Sequence, residues 1–447
     1  MLGPCSPKHQ IAEGNRFKVM ALTVNWCPRH HNTYKDTGDL HVTQAAKATL
    51  PNQPLAGVVV VDLTQVYQGP YATFLMAKAG AEVIKIEPIH GEPTRIRAKV
   101  SGGASLPMAM LNVNKKGITL NLKTDKGREM FKELVKHADV VVENFAPGVM
   151  DRLGIGWEVL HQINPRMIYG TGTGFGITGP DRGNLAMDVT IQASSGIMSV
   201  TGTPDGPPLR SGASVVDFLS GVHLYAGIVT ALFERTRTGQ GRLVEVSMQE
   251  TAYPTLASNL GLLYRQQGKP SGRVGNRHGG LALAPYNVYE ASDGHIAIVC
   301  ATEHHWQNIL KAMGREDLKD DPLLSTNKAR VENIQHTDDF VESWSRNLTR
   351  EQLFALSKQY SIPAAPVRTL DEVMHDAHMH ERGALEWFDD RDLGQIVLPT
   401  TPIRIHGTEK VETISSPLLG EHNQEIYGKW LGIDNKGLED LHAQQVI

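Results

Sequence analysis

The sequence predicts an α/β protein with a Rossmann-like large domain and a smaller α+β domain. Three observations lead there. Val58-Val59-Val60-Val61-Asp62-Leu63, Val83-Ile84-Lys85-Ile86-Glu87 and Ala138-Asp139-Val140-Val141-Val142-Glu143 are short β-branched runs separated by helical stretches. Strands of that kind, joined by helices, belong in a mainly parallel sheet covered on both faces. The chain has 447 residues, more than one hydrophobic core usually serves. The composition then changes at Gly268-Lys269-Pro270-Ser271-Gly272, a linker between two sets of elements.

Taken in order, the first fifty residues stand apart, with paired His30-His31 and one short apolar patch, Val19-Met20-Ala21-Leu22. The patch is too short for a secretory signal. Acidic Glu13, Asp36 and Asp39 weigh against a mitochondrial presequence without removing it. Residues 1–54 are assigned to an N-terminal extension. After the first strand, Gly69-Pro70 opens an apolar helix that ends near Gly80, and the second strand follows. Residues 125–137 place Met130, Phe131, Leu134 and Val135 on one helical side ahead of the third strand. Asn144-Phe145-Ala146-Pro147-Gly148 breaks the chain before a helix that runs to about His161. Arg166-Met167-Ile168-Tyr169-Gly170 is another strand. The glycine series from Gly170 to Gly176 reads as a close-approach loop, because it lacks the placement and acidic partner of a dinucleotide loop. Residues 218–237 form an apolar helix, and Leu243-Val244-Glu245-Val246 is a strand. The large domain thus covers 55–270. A linker and small domain cover 271–384, with a strand at Gly294-His295-Ile296-Ala297-Ile298-Val299 and an exit strand within 360–367. Residues 385–447 return to the large domain.

A formal net charge of -4 provides no basic field for nucleic acid. Three widely spaced cysteines suggest neither a disulfide framework nor a thiolate metal site. The expected compartment is reducing and cytoplasmic, with mitochondrial targeting left open. No apolar run of roughly 18–20 residues is recognised, so no membrane partner is expected. The adjacent pairs His30-His31 and His304-His305 suit one metal ion poorly, and no metal is expected.

One carboxylate draws the functional reading. Asp217 lies in Ser211-Gly212-Ala213-Ser214-Val215-Val216-Asp217-Phe218, after apolar residues and before what reads as a turn at Ser220-Gly221. An Asp there has two uses, as a helix cap or as a desolvated nucleophile.

The surrounding motifs decide between them. They include Asp62-Leu63-Thr64-Gln65-Val66-Tyr67-Gln68-Gly69-Pro70, Gly80-Ala81-Glu82-Val83-Ile84-Lys85-Ile86-Glu87-Pro88 and Gly91-Glu92-Pro93-Thr94-Arg95. Asn114-Lys115-Lys116-Gly117, Leu120-Asn121-Leu122-Lys123, Asp139 through Gly148, and Asp151-Arg152-Leu153-Gly154 follow. Arg235-Thr236-Arg237-Thr238-Gly239-Gln240-Gly241 and Pro417-Leu418-Leu419-Gly420-Glu421-His422 complete the series. In this order the chain resembles the class III CoA-transferases, the formyl-CoA and carnitine-CoA transferase family.

The resemblance implies a ring-shaped subunit in an obligate, interlocked homodimer. It also implies transfer of CoA from an acyl-CoA donor, such as succinyl-CoA, to a free carboxylic acid through an acyl anhydride on Asp217. The CoA thioester is then a substrate, and no prosthetic group is expected. Tyr67, Gln68, Leu120 through Lys123, Asn144, Phe145, Arg152 and Asp188 match positions that hold CoA or wall the site. Arg152 is expected to begin a helix whose terminus adds anion affinity. Pro88 replaces a phosphate-binding Arg of one branch, leaving Arg95, Arg97 or Lys116 to compensate. His278, Gly279 and Gly280 match the substrate loop, with Arg277 beside them as a candidate carboxylate partner. The oxalate branch has a longer glycine run there, which speaks against oxalate as acceptor. Met187 stands where the racemase branch has a catalytic His. Because Met offers no useful proton acceptor, two-base racemisation is disfavoured. Intramolecular CoA transfer and non-enzymatic CoA binding are the other readings.

Overall fold

Alternation along the strands sorts the core into two layers. The computed structural model describes residues 52–97, 105–269 and 272–447; the N-terminal patch, His30-His31 and part of the linker lie outside them. Val59–Asp62 (β1) places Val61 in a core with Leu63 and Ile84, and Val60 in another with Ala72 and Met76. Gln68–Lys78 (α1) covers the second face, and Glu82–Glu87 (β2) follows it. Lys115–Thr119 (β3) and Asp125–Val135 (α2) come next, α2 placing Met130, Phe131 and Leu134 on the first face. Val140–Glu143 (β4) and Ile168–Thr173 (β5) precede Asp188–Ser194 (α3) and the long helix Val215–Thr238 (α4). Leu243–Ser247 (β6) completes a six-stranded sheet in the order β3-β2-β1-β4-β5-β6, parallel throughout. This is the strand order of doubly wound nucleotide-binding sheets, whose ligands lie where the order reverses, beyond the carboxyl ends of the strands.

Two elements differ from their sequence reading. Strand β3 carries two lysines and does not look like core, yet Lys115 is fully inside. Its Nζ lies 3.0 Å from Asp62 Oδ2, 2.7 Å from Thr73 Oγ1 and 2.9 Å from Asn112 Oδ1. Asp62 Oδ1 also accepts the Thr64 N–H at 2.8 Å, so this buried pair holds the turn after β1. Helix α4 runs unbroken for 24 residues, so Ser220 and Gly221 are helix interior rather than a turn. Ser220 Oγ bonds back to Val216 O at 2.8 Å, which satisfies its hydroxyl inside the helix. By length and apolar character α4 meets the requirement for crossing a membrane, correcting the absence of any such run. Its inner face, Leu224, Ile228 and Leu232, packs on the sheet.

Tyr286–Ala291 (β7), Gly294–Val299 (β8) and Ala364–Pro366 (β9) form an antiparallel sheet with its own core around Tyr289, Ile296 and Trp306. The hairpin Leu385–Asp390 (β10) and Gly394–Pro399 (β11) sets Leu398 against Phe74 and Leu75 of α1. Asn423–Leu431 (α5) and Asn435–Ala443 (α6) then pack beside β3. There Tyr427 Oη donates to Thr119 O at 2.7 Å.

Candidate active site

The first turn of α4 holds Asp217. The leading N–H groups of any helix lack partners in their own helix. Ser214, at the cap position, supplies none from its side chain. Asp188, at the start of α3, supplies them instead. Its Oδ2 accepts the Val216 N–H at 2.9 Å and the Asp217 N–H at 3.2 Å, while Oδ1 accepts from Gln192 at 2.6 Å. Both Asp188 oxygens are therefore occupied within the protein, which makes it an anchor of α4 rather than a wall open to CoA.

Asp217 is 8% exposed. Its carboxylate receives no hydrogen bond from the described residues. Burial, and then the neighbouring Asp188 charge, pushes its pKa up to about 7. Ile191, Val216, Met248 and Ala252 form an apolar cluster at this helix end. An isolated carboxylate in such a place is a poor structural group and a suitable nucleophile.

Gly221, one turn beyond Asp217 on the same face, lets α4 close on α1. A Cβ there would lie 2.6 Å from Gln68 O. Phe218 packs edge-on to Tyr71 at 4.8 Å and stacks with Tyr67 at 6.0 Å. Tyr67 and Gln68 thus stand beside the helix turn that carries Asp217. Gln68 is 4% exposed, and its Nε2 is a buried donor with no hydrogen-bond partner among the described residues. The space for it comes from Gly172, where a Cβ would lie 2.8 Å from Gln68 Cδ. The glycines 170 and 172 are therefore strand residues of β5, not a loop, although the close approach they permit is real.

Asn144 joins the loops after β4 and β1, exchanging two hydrogen bonds with the Gln65 backbone at 2.8 and 2.9 Å. That clamp lies where the strand order reverses. Phe145 follows, its N–H held by Glu143 Oε2 at 2.7 Å; burial raises the Glu143 pKa to about 7. The Leu120 side chain is in the core, and its N–H donates to Glu87 O at 2.8 Å. Lys123 is exposed and makes no ion pair among the described residues.

Three cations differ from expectation. Arg152 is exposed and ends the four-residue helix Val149–Arg152 instead of beginning one, so no helix N-terminus assists it. Arg95 is held by Glu87, with Nε and Nη2 at 2.7 and 2.6 Å, and is not a ready replacement for the phosphate contact absent at Pro88. Lys116 is paired with Glu82 and Glu425 at 2.8 and 2.5 Å. Arg97 is exposed.

His278, Gly279 and Gly280 form a tight turn closed by Leu281 N–H to His278 O at 2.7 Å. His278 Nδ1 accepts the Gly280 N–H at 3.1 Å, so a neutral imidazole carries its proton on Nε2. Arg277 instead reaches Asp338, with Nε 2.7 Å from Oδ2. The turn is tied to the segment before α4 through Gly275 N–H to Gly202 O at 3.1 Å and Arg273 to Thr203 O at 3.1 Å. Met187 is 48% exposed beside Asp188. No group of His, Cys, Asp or Glu suited to a metal ion occurs among the described residues. Sequence reading missed Gln192, whose spacing of four from Asp188 on α3 was the available signal.

Residues 55–423 match CoA-transferase family III, and the chain belongs to that family. It is a CoA-transferase, moving CoA from an acyl-CoA to a carboxylic acid. It is 35% identical over 402 residues to the succinyl-CoA–D-citramalate CoA-transferase of Chloroflexus aurantiacus, covering 89% of this chain and 99% of that protein. The formyl-CoA:oxalate CoA-transferase of Streptomyces coelicolor is 36% identical over 408 residues, covering 88% and 99%. The succinyl-CoA:mesaconate CoA-transferase of Haloarcula hispanica is 35% identical over 378 residues, covering 82% and 94%. Among solved structures, a CAIB/BAIF family protein from Brucella suis matches with a TM-score of 0.75 and 32% identity, covering 85% of this chain and all of that one.

Proposed function

We propose that Asp217 is the nucleophile and that transfer proceeds through acyl anhydrides on its carboxylate. The observation that carries this reading is a buried Asp217 carboxylate with no protein hydrogen bond among the described residues. An oxygen of ionised Asp217 attacks the thioester carbonyl, the C–S bond breaks, and CoA remains as thiolate. The acceptor carboxylate attacks the Asp217 carbonyl, and the donor acid leaves. CoA thiolate attacks the acyl carbon of the new anhydride, forming the product thioester and restoring Asp217. Every step exchanges one nucleophile for another and none moves a proton, which fits Met187 in place of a base. Gln68 Nε2, a donor beside the Asp217 turn with no partner among the described residues, is the group we assign to the oxygen that becomes negative during attack.

Tyr67, Asn144 and Phe145 form our CoA surface, with exposed Lys123 and Arg152 for the phosphates; the Leu120, Asn121 and Lys123 N–H groups are already bonded within the protein. Succinyl-CoA is the proposed donor, following two of the relatives. The short Gly279-Gly280 turn favours an acceptor larger than oxalate, a C4 or C5 dicarboxylate, with His278 Nε2–H toward its far carboxylate. The test is incubation of succinyl-CoA with a panel of acids, followed by mass spectrometry of thioesters and of Asp217. The expected result is a new thioester, one succinate released per product, an acyl mass on Asp217, and none of these in Asp217→Asn. Exchange of deuterium at the acyl α-carbon without a new thioester would overturn the reading in favour of racemisation.

A further inference from the structure

The side chain of Gln192 takes no part in that chemistry, yet it joins two segments that meet at Asp217. It is fully buried in α3, one turn after Asp188. Its Nε2 donates to Asp188 Oδ1 at 2.6 Å, and its Oε1 accepts the Ser211 N–H at 2.8 Å. The amide orientation follows from its neighbours: an ionised carboxylate only accepts, and a backbone N–H only donates. Asp188 Oδ2 in turn accepts the Val216 and Asp217 N–H groups at 2.9 and 3.2 Å. One amide thus fixes the chain before α4 at Ser211 and, through Asp188, the helix turn that carries Asp217.

Resting on the nucleophile reading of Asp217, we propose that Gln192 is a positioning residue for CoA transfer. It locks Asp188 and the Ser211 amide into one unit, so that Asp188 holds the first turn of α4 and the Asp217 carboxylate in place for attack. An apolar side chain of equal length would leave the partly buried Ser211 N–H and a buried Asp188 oxygen without these partners. Misplacement of a nucleophile by even about 1 Å is enough to slow attack about 100-fold.

The role needs a donor and an acceptor at once. An amide provides both at every pH, a carboxylic acid only while protonated. Gln192→Glu therefore tests it. Protonated, the introduced carboxyl donates to Asp188 and accepts from Ser211. Ionised, it faces Asp188 as a like charge, with Asp217 one link further on. Arg210, which donates to Ser211 O and Gly212 O at 2.8 and 2.9 Å, is the nearby cation. From the other side Met248 and Ala252 pack on α3 as apolar neighbours.

The wild-type rate is expected to rise with pH as Asp217 ionises and then hold level. Gln192→Glu is expected to add a falling limb at higher pH, giving a bell. Gln192→Met is expected to lower kcat about 10- to 100-fold at every pH, with KM for the acyl-CoA within about twofold. A wild-type pH profile in Gln192→Glu, or a wild-type kcat in Gln192→Met, overturns the proposal. Recovery of Gln192→Glu activity on acidifying the same sample establishes a folded enzyme, so that variant decides even where Gln192→Met does not fold. An acyl mass on wild-type Asp217 together with an unaltered Gln192→Glu profile sinks this inference alone. Wild-type turnover with no acyl mass on Asp217 sinks the nucleophile reading and this inference with it.

Discussion

At the residue scale, the raised Asp217 pKa has two consequences with opposite value to the protein. The proposed mechanism needs Asp217 ionised, so the transfer rate should climb as pH rises through about 7. Stability should move the other way. The folded state holds the Asp217 proton more tightly than the unfolded chain, so between the ordinary 3.8 and about 7 each step up in pH lowers stability. Asp217→Asn cannot ionise and escapes that fall. Comparing thermal unfolding at pH 5 and pH 8 should show the wild type losing about 2–4 kcal/mol more than the variant. An equal pH response in both proteins would contradict the buried, uncompensated carboxylate. Asp188→Asn removes the neighbouring charge, so the rising limb of its rate profile should move to lower pH, and because its amide nitrogen would face the Gln192 donor in place of Oδ1, kcat should fall as well.

At the element scale, β3 depends on an ion pair inside the sheet. Burial alone would raise the Asp62 pKa, but the Lys115 and Lys85 ammoniums and the Thr64 and Thr73 hydroxyls hold it below the usual range. Breaking such a pair strands the remaining charge, so Lys115→Met should cost about 3–5 kcal/mol by urea unfolding. Adding Asp62→Leu should recover part of that loss, because two apolar groups leave no buried charge. Lys115 also explains how far the fold was legible. Strands β1, β2 and β4 announce themselves by β-branched runs, whereas β3 spells Lys115-Lys116-Gly117-Ile118-Thr119 and is made a strand by a partner 53 residues away. The site divides the same way. The burial of Asp217 was readable from the apolar residues before it, but the occupied guanidinium of Arg95 and the relay through Gln192 depend on contacts between distant segments that no local pattern encodes.

At the scale of the whole molecule, α4 presents an unusual outer face. Val215, Val222 and Phe233 lie along it at 40, 42 and 64% exposure, and Ile403, Ile405 and Ile414 are exposed elsewhere. Scattered apolar residues are ordinary on a surface, but a line of them along one helix is better covered. It fits the interlocked homodimer that the family resemblance implies, and we propose that a second copy covers α4. Sedimentation should give a dimer for the wild type, and Phe233→Glu should shift the equilibrium toward monomer. A wild type that sediments as a stable monomer would remove the dimer proposal.

Gly221 brings one more property within reach. Glycine in the middle of a helix is ordinarily replaced by alanine with a gain of about 0.5–1 kcal/mol. Here the added methyl would strike the Gln68 carbonyl, and the two helices would have to part beside Asp217, the carboxylate we propose to carry the acyl group. The absent side chain then works as a gasket, and Gly221→Ala should leak. Its acyl-enzyme would be intercepted by water, and the ratio of free acid plus free CoA to new thioester should rise. What separates a transferase from a wasteful thioesterase in this chain would be the width of one methyl group.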